Sequence, residues 1–214
     1  MRFRILALST GALAAALVLA GCAPTDGSMP GMDHGPGGMT SSTPAPSGQA
    51  SFNSADEMFV TMMIPHHEQA IEMADQILAK DGIDERVVTL AEQIKAAQGP
   101  EIQTMKGWLE DWGIPYDDSM SDMGGMGGMG GMGGMDHGDG MMSDDDMAAL
   151  DAATGVEATR LFLEGMIGHH QGAVTMAQMV LDNGENPDVA ALAQQIIDGQ
   201  TAEITTMQDI LATL

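Results

Sequence analysis

The chain has 214 residues and is strongly acidic, with 31 Asp and Glu residues against seven Lys and Arg residues. Its formal net charge of −24 argues against binding to nucleic acid phosphates or anionic lipid headgroups, because both would repel it. The same charge would concentrate cations near the protein. It would equally serve to keep an exported protein soluble, so charge alone does not separate these two roles.

Residues 1–22 form an export signal. Arg2 and Arg4 precede an apolar stretch that is too short and wrongly flanked for a membrane span. The stretch ends in Leu-Ala-Gly-Cys, which resembles the lipobox of bacterial lipoproteins and predicts lipidation of Cys22, the only cysteine. The predicted location is therefore outside the cytoplasm, with a lipid anchor in the cell membrane. An ordinary signal that leaves a free thiol is the alternative.

Behind the leader, composition and apolar periodicity divide the chain into four segments. A tether rich in Gly, Pro, Ser and Thr lacks an apolar period and is predicted to be disordered. Two helical segments follow, separated by a linker rich in Met, Gly and Asp that also lacks periodicity. The boundaries are 23–53 for the tether, 54–116 for the first helical hairpin, 117–153 for the linker and 154–214 for the second hairpin.

Each helical segment contains two predicted helices. Ser54-Ala55-Asp56-Glu57 fits a capping box at the start of the first helix, and Pro100 predicts a kink in the second. Asn186 and Pro187 have the character of an N-cap followed by proline in the first turn. The predicted helices span 54–81, 84–112, about 154–181 and 186 to the C-terminus.

The two hairpins are copies of each other. The first helices match at a spacing of 103 residues, and the second helices match with a slip of one residue. Phe59, Met63, Ile64, His66, His67, Ala70, Met73 and Ala74 return as Phe162, Met166, Ile167, His169, His170, Ala173, Met176 and Ala177. Two related hairpins, each with one apolar face, are expected to pair into an all-α four-helix bundle.

Each first helix carries a methionine followed three and four residues later by a His-His pair. The copies are Met63-Ile64-Pro65-His66-His67 and Met166-Ile167-Gly168-His169-His170, which hold four of the six histidines. Thioether sulfur suits Cu(I), and imidazole accepts either oxidation state of copper. With a rise of about 1.5 Å per residue, the methionine can share an ion with either histidine. The pattern predicts a copper site, and silver is a further candidate ion.

A helical wheel separates the two histidines of a pair. His66 lies on the apolar stripe with Met63, whereas His67 flanks this stripe. One histidine could therefore bind an ion while the other serves a second ion or stays at the surface. Met73 lies about 10 Å beyond His66 along the axis, which favours a neighbouring site or the core. The alternatives for these residue types are core packing for methionine and hydrogen bonding for histidine.

The second helix of each hairpin carries further candidate donors. Gln98, Glu101 and Met105 share one narrow stripe, and antiparallel packing would bring it to the His-Met face. We predict Glu101 and, in the second hairpin, Glu203 as weaker, auxiliary ligands.

The linker contains methionines that are not expected to be buried in a core. Six methionines stand at every third position from Met120 to Met135, separated by glycine or other small or polar residues. Such exposed thioethers would suit weak, labile binding of Cu(I) or Ag(I), and low-complexity drift is the alternative explanation. The predicted auxiliary ligands here are Met123, Met126, Met129, Met132, Met135 and His137.

The pattern Met-x-x-His-His-x-x-Ala-x-x-Met-Ala, present in both hairpins, resembles the bacterial family called domain of unknown function 305. This resemblance implies an exported protein with a ferritin-like four-helix bundle, and some family members are periplasmic copper-binding proteins linked to copper tolerance. Matched to this sequence, the family pattern points to metal ligands at Met63, His66, His67, Met73, Met105, Met166, His169, His170, Met176 and Met207. Gly165 in place of Met62, and Gly168 in place of Pro65, imply that the second site differs in geometry.

These features predict a non-enzymatic lipoprotein that sequesters copper or transfers it outside the cytoplasm and so contributes to copper tolerance. A copper exporter, a chaperone or an oxidase would be the recipient, and no nucleic acid partner is expected. A di-iron oxidase would need Glu-x-x-His motifs, and no histidine here has Glu three residues before it. Two alternatives stay open, namely a helical interaction or structural module that binds no metal, and a copper-dependent oxidase.

Overall fold

Four long helices and one short helix make up the part of the chain that the computed structural model describes, residues 50–116 and 140–214. No strand occurs within those residues, and none of their helices is long and apolar enough to cross a membrane. The helices are α1 (Ser54–Leu78), α2 (Glu85–Trp112), α3 (Asp144–Ala152), α4 (Gly155–Asn183) and α5 (Pro187–Leu211). The predicted leader with Cys22, residues 23–49 of the tether and the Met-Gly repeat lie outside the described residues.

The N-cap of the first helix lies one residue before the predicted cap, Ser54. Asn53 is the N-cap, and its side chain accepts hydrogen bonds from the backbone N–H groups of Ala55 and Asp56. The Asp56 carboxylate in turn accepts from the Asn53 backbone, which completes a capping box. The predicted box starting at Ser54 was therefore wrong by one residue. The predicted cap at Asn186 is confirmed, because its side chain accepts from the first free N–H groups of α5.

The helices pair as the repeat predicts. Helix α1 packs against α2, α4 packs against α5, and the two hairpins join mainly through α1 and α4. Pro100 lies inside α2, and the helix continues through it to Trp112. This arrangement confirms the predicted all-α bundle, and it places both His-His pairs on the two helices that meet at its centre.

The apolar interior consists of two clusters with a polar layer between them. Along each long helix, one end contributes to the first core cluster and the other end to the second. The first core cluster lies within 59–64, 102–109, 173–180 and 189–196, and the second within 70–77, 87–94, 158–166 and 207–210, with Leu150. Between these stretches lie six buried polar side chains, here called the polar layer: His66, His67, Gln98, His169, His170 and Gln200.

Helix α3 departs from the predicted linker. The sequence gives no apolar period over 117–153, yet Asp144–Ala152 is helical and its Leu150 is fully buried in the second core cluster. Ser143 caps this helix, because its side-chain oxygen accepts a hydrogen bond from the backbone N–H of Asp146. The acidic residues of the first turn interact favourably with the positive end of the helix dipole. Because Leu150 is the one buried residue of this nine-residue helix, the segment shows no apolar period.

Candidate metal centre

The four paired histidines meet at the centre of the bundle, and all four side chains are fully buried. His66 of α1 and His169 of α4 face each other, with 3.7 Å between ring centroids. His67 and His170 lie farther out, 6.4 and 6.3 Å from the ring of the adjacent histidine. The expectation that one histidine of a pair could stay at the surface was wrong, because the second helix of each hairpin covers that edge of the stripe.

A carboxylate from the second helix of the same hairpin orients each outer histidine. His67 Nε2 lies 2.8 Å from Glu101 Oε2, and His170 Nε2 lies 2.7 Å from Glu203 Oε2. A carboxylate only accepts hydrogen bonds, so Nε2 carries the proton, and in the neutral imidazole the lone pair is then on Nδ1. Neither Nδ1 atom has a hydrogen-bond partner. A carboxylate that holds the far nitrogen of an imidazole is a common arrangement around metal-bound histidines.

His169 is held in its neutral form. Burial lowers its pKa well below the ordinary value of 6.5, and the positive charges that His66, His170 and His67 would carry lower it further. A backbone hydrogen bond with His66 opposes this shift, and burial outweighs it. Because a metal binds only neutral imidazole, this depressed pKa keeps His169 ready for an ion at neutral pH.

Two buried amides complete the polar layer, and they were not among the predicted ligands. Gln98 and Gln200 are only 2% and 4% exposed, and neither their amide oxygens nor their amide nitrogens have a hydrogen-bond partner. A buried polar group without a partner costs about 1–3 kcal/mol. The repeat carried the signal for these residues, since each stands three positions before the glutamate that holds an outer histidine, Glu101 or Glu203.

The six methionines predicted as ligands are all buried. Three lie in the core cluster on one side of the polar layer and three in the cluster on the other side. Met63, Met105 and Met176 belong to the first core cluster, whereas Met73, Met166 and Met207 belong to the second. Each trio thus takes two methionines from one hairpin and one from the other. This mixing arises because the N-terminal half of α1 lies beside the C-terminal half of α4.

The donors of the layer fit a soft ion better than a hard one. Within residues 50–116 and 140–214, no three His, Cys, Asp or Glu side chains are placed to enclose an ion by themselves. The donors beside the imidazoles are amides in the layer and thioethers in the adjoining core clusters, and thioethers are the ligands that select Cu(I). The other predicted ligands, Met123, Met126, Met129, Met132, Met135 and His137, lie outside the described residues.

Comparisons with known proteins agree with the helical fold. A family described as "Domain of unknown function (DUF305)" matches residues 56–211. A DUF305 fragment from Deinococcus radiodurans is 32% identical, with a TM-score of 0.61 over 78% of this chain and 100% of that one. A curated relative, uncharacterized protein L153 of Acanthamoeba polyphaga mimivirus, is 40% identical over 50 residues, which are 23% of this chain and only 33% of that protein.

Solved structures of a protein named CopM are also similar. Its Cu(I)-bound form is 32% identical with a TM-score of 0.56, and its Cu(II)-bound form is 34% identical with a TM-score of 0.59. Both comparisons cover 74% of this chain and 96% of CopM. CopM has also been solved in Ag-bound forms. Since the DUF305 match spans both hairpins, the chain belongs to the DUF305 family.

Proposed function

We propose that this protein binds copper in the polar layer of its bundle and sequesters or transfers it outside the cytoplasm. The observation that carries this proposal is the layer itself, in which both His-His pairs converge and His66 lies against His169. The Nδ1 atoms of His67 and His170 are buried and have no hydrogen-bond partner. A buried layer of this kind loses stability unless something binds those atoms.

Copper is the ion that the donor set favours. Buried methionines lie in the core clusters on both sides of the layer, and thioether with imidazole suits Cu(I), while imidazole also accepts Cu(II). The similar protein CopM has been solved with Cu(I), Cu(II) and Ag, which supports the same choice of ions here. Silver is accordingly a second expected ligand.

The location and role rest on the sequence outside the described residues. The leader and its Leu-Ala-Gly-Cys end support export and a lipid anchor at Cys22, which would hold the protein at the cell membrane. The Met-Gly repeat supports weak capture of ions that the layer then holds more tightly. We propose a binding protein without catalytic activity, which contributes to copper tolerance and passes copper to an exporter, a chaperone or an oxidase.

A Cu(I) titration against a chromophoric competing chelator tests this function. The protein is the chain after its leader, with Cys22→Ser to remove the thiol and the lipid. Replacing His66, His67, His169 and His170 together by Leu should abolish the tightest binding component. The matched control replaces the two remaining histidines, His34 and His137, by Leu, and should keep that component. Retention of tight binding by the fourfold variant, with its helix content intact by circular dichroism, would overturn the proposal.

A further inference from the structure

A groove at the surface between the start of α1 and the end of α4 contains an unusual number of methionines. The groove measures about 280 Å³ and is lined by Met58, Met62, Met176 and Met179, together with apolar and small polar residues. We call it the methionine groove. Met58, Met62 and Met179 are 62%, 42% and 55% exposed, whereas Met176 is 6% exposed.

Core packing accounts for Met176, but it does not explain the exposed side chains of Met58, Met62 and Met179. Met58 and Met62 stand one turn apart on α1, and Met176 and Met179 stand about one turn apart on α4, so each pair lies on one helix face. Methionine is unbranched and flexible, which lets several thioethers converge on one small ion. The groove has no Lys, Arg or His in its lining, so no fixed positive charge would repel a cation there.

The internal repeat provides a comparison within the same molecule. By the spacing of 103 residues, the positions of Met58, Met62 and Met179 correspond to Leu161, Gly165 and Gln76. The second copy therefore lacks all three of the exposed thioethers.

The second copy is also covered. The side chain of Met142 lies where a Cβ on Gly165 would be, with its sulfur 2.6 Å from that position. The amide of Gln69 accepts from and donates to the Met142 backbone, at 2.8 and 2.9 Å. Lys80 Nζ donates to the Asp151 carbonyl, which ties α3 to the same face. The absence of a side chain at Gly165 thus makes room for a cover, whereas within residues 50–116 and 140–214 Met62 stays 42% exposed.

Among the methionines of the groove, Met176 is the one that reaches the interior. Met176 lines the groove and also belongs to the first core cluster, together with Met63 and Met105. Met63 stands one helical turn before His66 of the polar layer. Thioethers therefore extend from the surface to the residues beside the layer.

We propose that the methionine groove is a separate surface site for soft monovalent ions, Cu(I) or Ag(I), and that it admits them to the polar layer through Met176. Thioethers are neutral, soft ligands that select Cu(I) over hard divalent cations. Capture of an ion by the groove is independent of the function proposed above. Passage to the polar layer rests on that function.

Nuclear magnetic resonance of methionine methyl groups tests capture by the groove. The protein is the chain after its leader with Cys22→Ser and ¹³C-labelled methionine methyls, assigned by single Met→Leu variants and titrated with Ag(I). The signals of Met58, Met62, Met176 and Met179 should shift together and saturate together. The same shifts should occur in the variant that lacks the four histidines of the layer. The result for the groove therefore does not depend on whether the polar layer binds metal. Shifts confined to other methionines would overturn the site.

A triple variant, M58L/M62L/M179L, tests the route inward. Leucine keeps the apolar surface and removes only the sulfur, so a groove that docks an apolar partner would be indifferent to the change. If ions enter through the groove, loss of its three exposed thioethers should slow Ag(I) loading of the layer several-fold relative to the parent. The matched control M141L/M142L/M147L removes as many thioethers at the covered copy and should load at the parent rate. Equal loading rates in both variants would overturn the route.

Discussion

The rings of His66 and His169 meet across the contact between α1 and α4, with 3.7 Å between their centroids and 39° between their planes. Each copy of the repeated motif therefore supplies half of one buried layer. The layer exists only when the two hairpins pack together, which makes metal binding and bundle assembly interdependent. Binding of an ion to the folded state alone should raise its stability, by about 2.7 kcal/mol at a free concentration one hundred times the dissociation constant.

The glutamates that hold the outer histidines should set the affinity for copper. E101A or E203A removes the hydrogen bond to His67 or His170, and we expect each to weaken Cu(I) binding about 10- to 100-fold. Competition with a Cu(I) chelator measures the change. E110A, at an exposed position on the same helix as Glu101, is the control and should bind as the parent does. Equal affinities in all three variants would remove the orienting role.

The buried amides of Gln98 and Gln200 should lower the stability of the metal-free protein. Replacing Gln98 or Gln200 by Met removes unpartnered polar atoms at nearly constant volume, so each change should raise the free energy of unfolding by about 1–3 kcal/mol. Urea unfolding of metal-free protein measures it. Q69L is the contrasting variant, because the Gln69 amide is hydrogen-bonded to the backbone of Met142 and its loss should destabilise the protein. A fall in stability for Q98M would show that the amide has a stabilising partner.

The stability of the metal-free protein should fall as the pH drops below about 6.5. The pKa of His169 is depressed in the folded state and returns to its ordinary value of 6.5 on unfolding, so below that pH the unfolded chain binds an extra proton. The slope contributed by one such group approaches about 1.4 kcal/mol per pH unit. Urea unfolding from pH 7.5 to 5.5 measures it. H169L should lose this component, and an unchanged slope in H169L would refute the assignment.

One buried carboxylate should hold the two hairpins together at their ends. Asp56 is 1% exposed and accepts hydrogen bonds from the backbone N–H groups of Asn53, Glu185 and Asn186. D56A leaves these donors without their charged acceptor and should cost about 3 kcal/mol of unfolding free energy. The neighbouring exposed residue gives the control, E57A, which should change stability by less than about 0.5 kcal/mol. Similar values for the two variants would count against this contact.

The bundle could be predicted from the sequence because both hairpins carry the same pattern of apolar residues. Two hairpins with matching apolar faces bury both faces when they pack against each other, and they do so in the structure. Prediction fails where a single contact decides the outcome. Helix α3 depends on the burial of Leu150, and the first cap depends on Asn53 rather than Ser54. Neither contact leaves a periodic trace in the sequence.

The sequence predicted most residues of the candidate site, but not how they are arranged in space. Spacing along one helix places Met63 near His66, but it cannot show that Met176 of the other hairpin enters the same core cluster. That depends on how α1 and α4 run past each other. For the same reason, the meeting of His66 with His169 and the burial of His67 could be seen only in three dimensions.

The shared layer is the central claim, and a double-mutant cycle on Cu(I) affinity tests it most directly. The dissociation constants of the parent, H66L, H169L and the double variant are measured against one competing chelator. If the two histidines serve one layer, their effects should be non-additive by more than about 0.5 kcal/mol, since independent sites add within about 0.3–0.5 kcal/mol. Additive losses would mean two separate sites, one per hairpin, and would contradict the account.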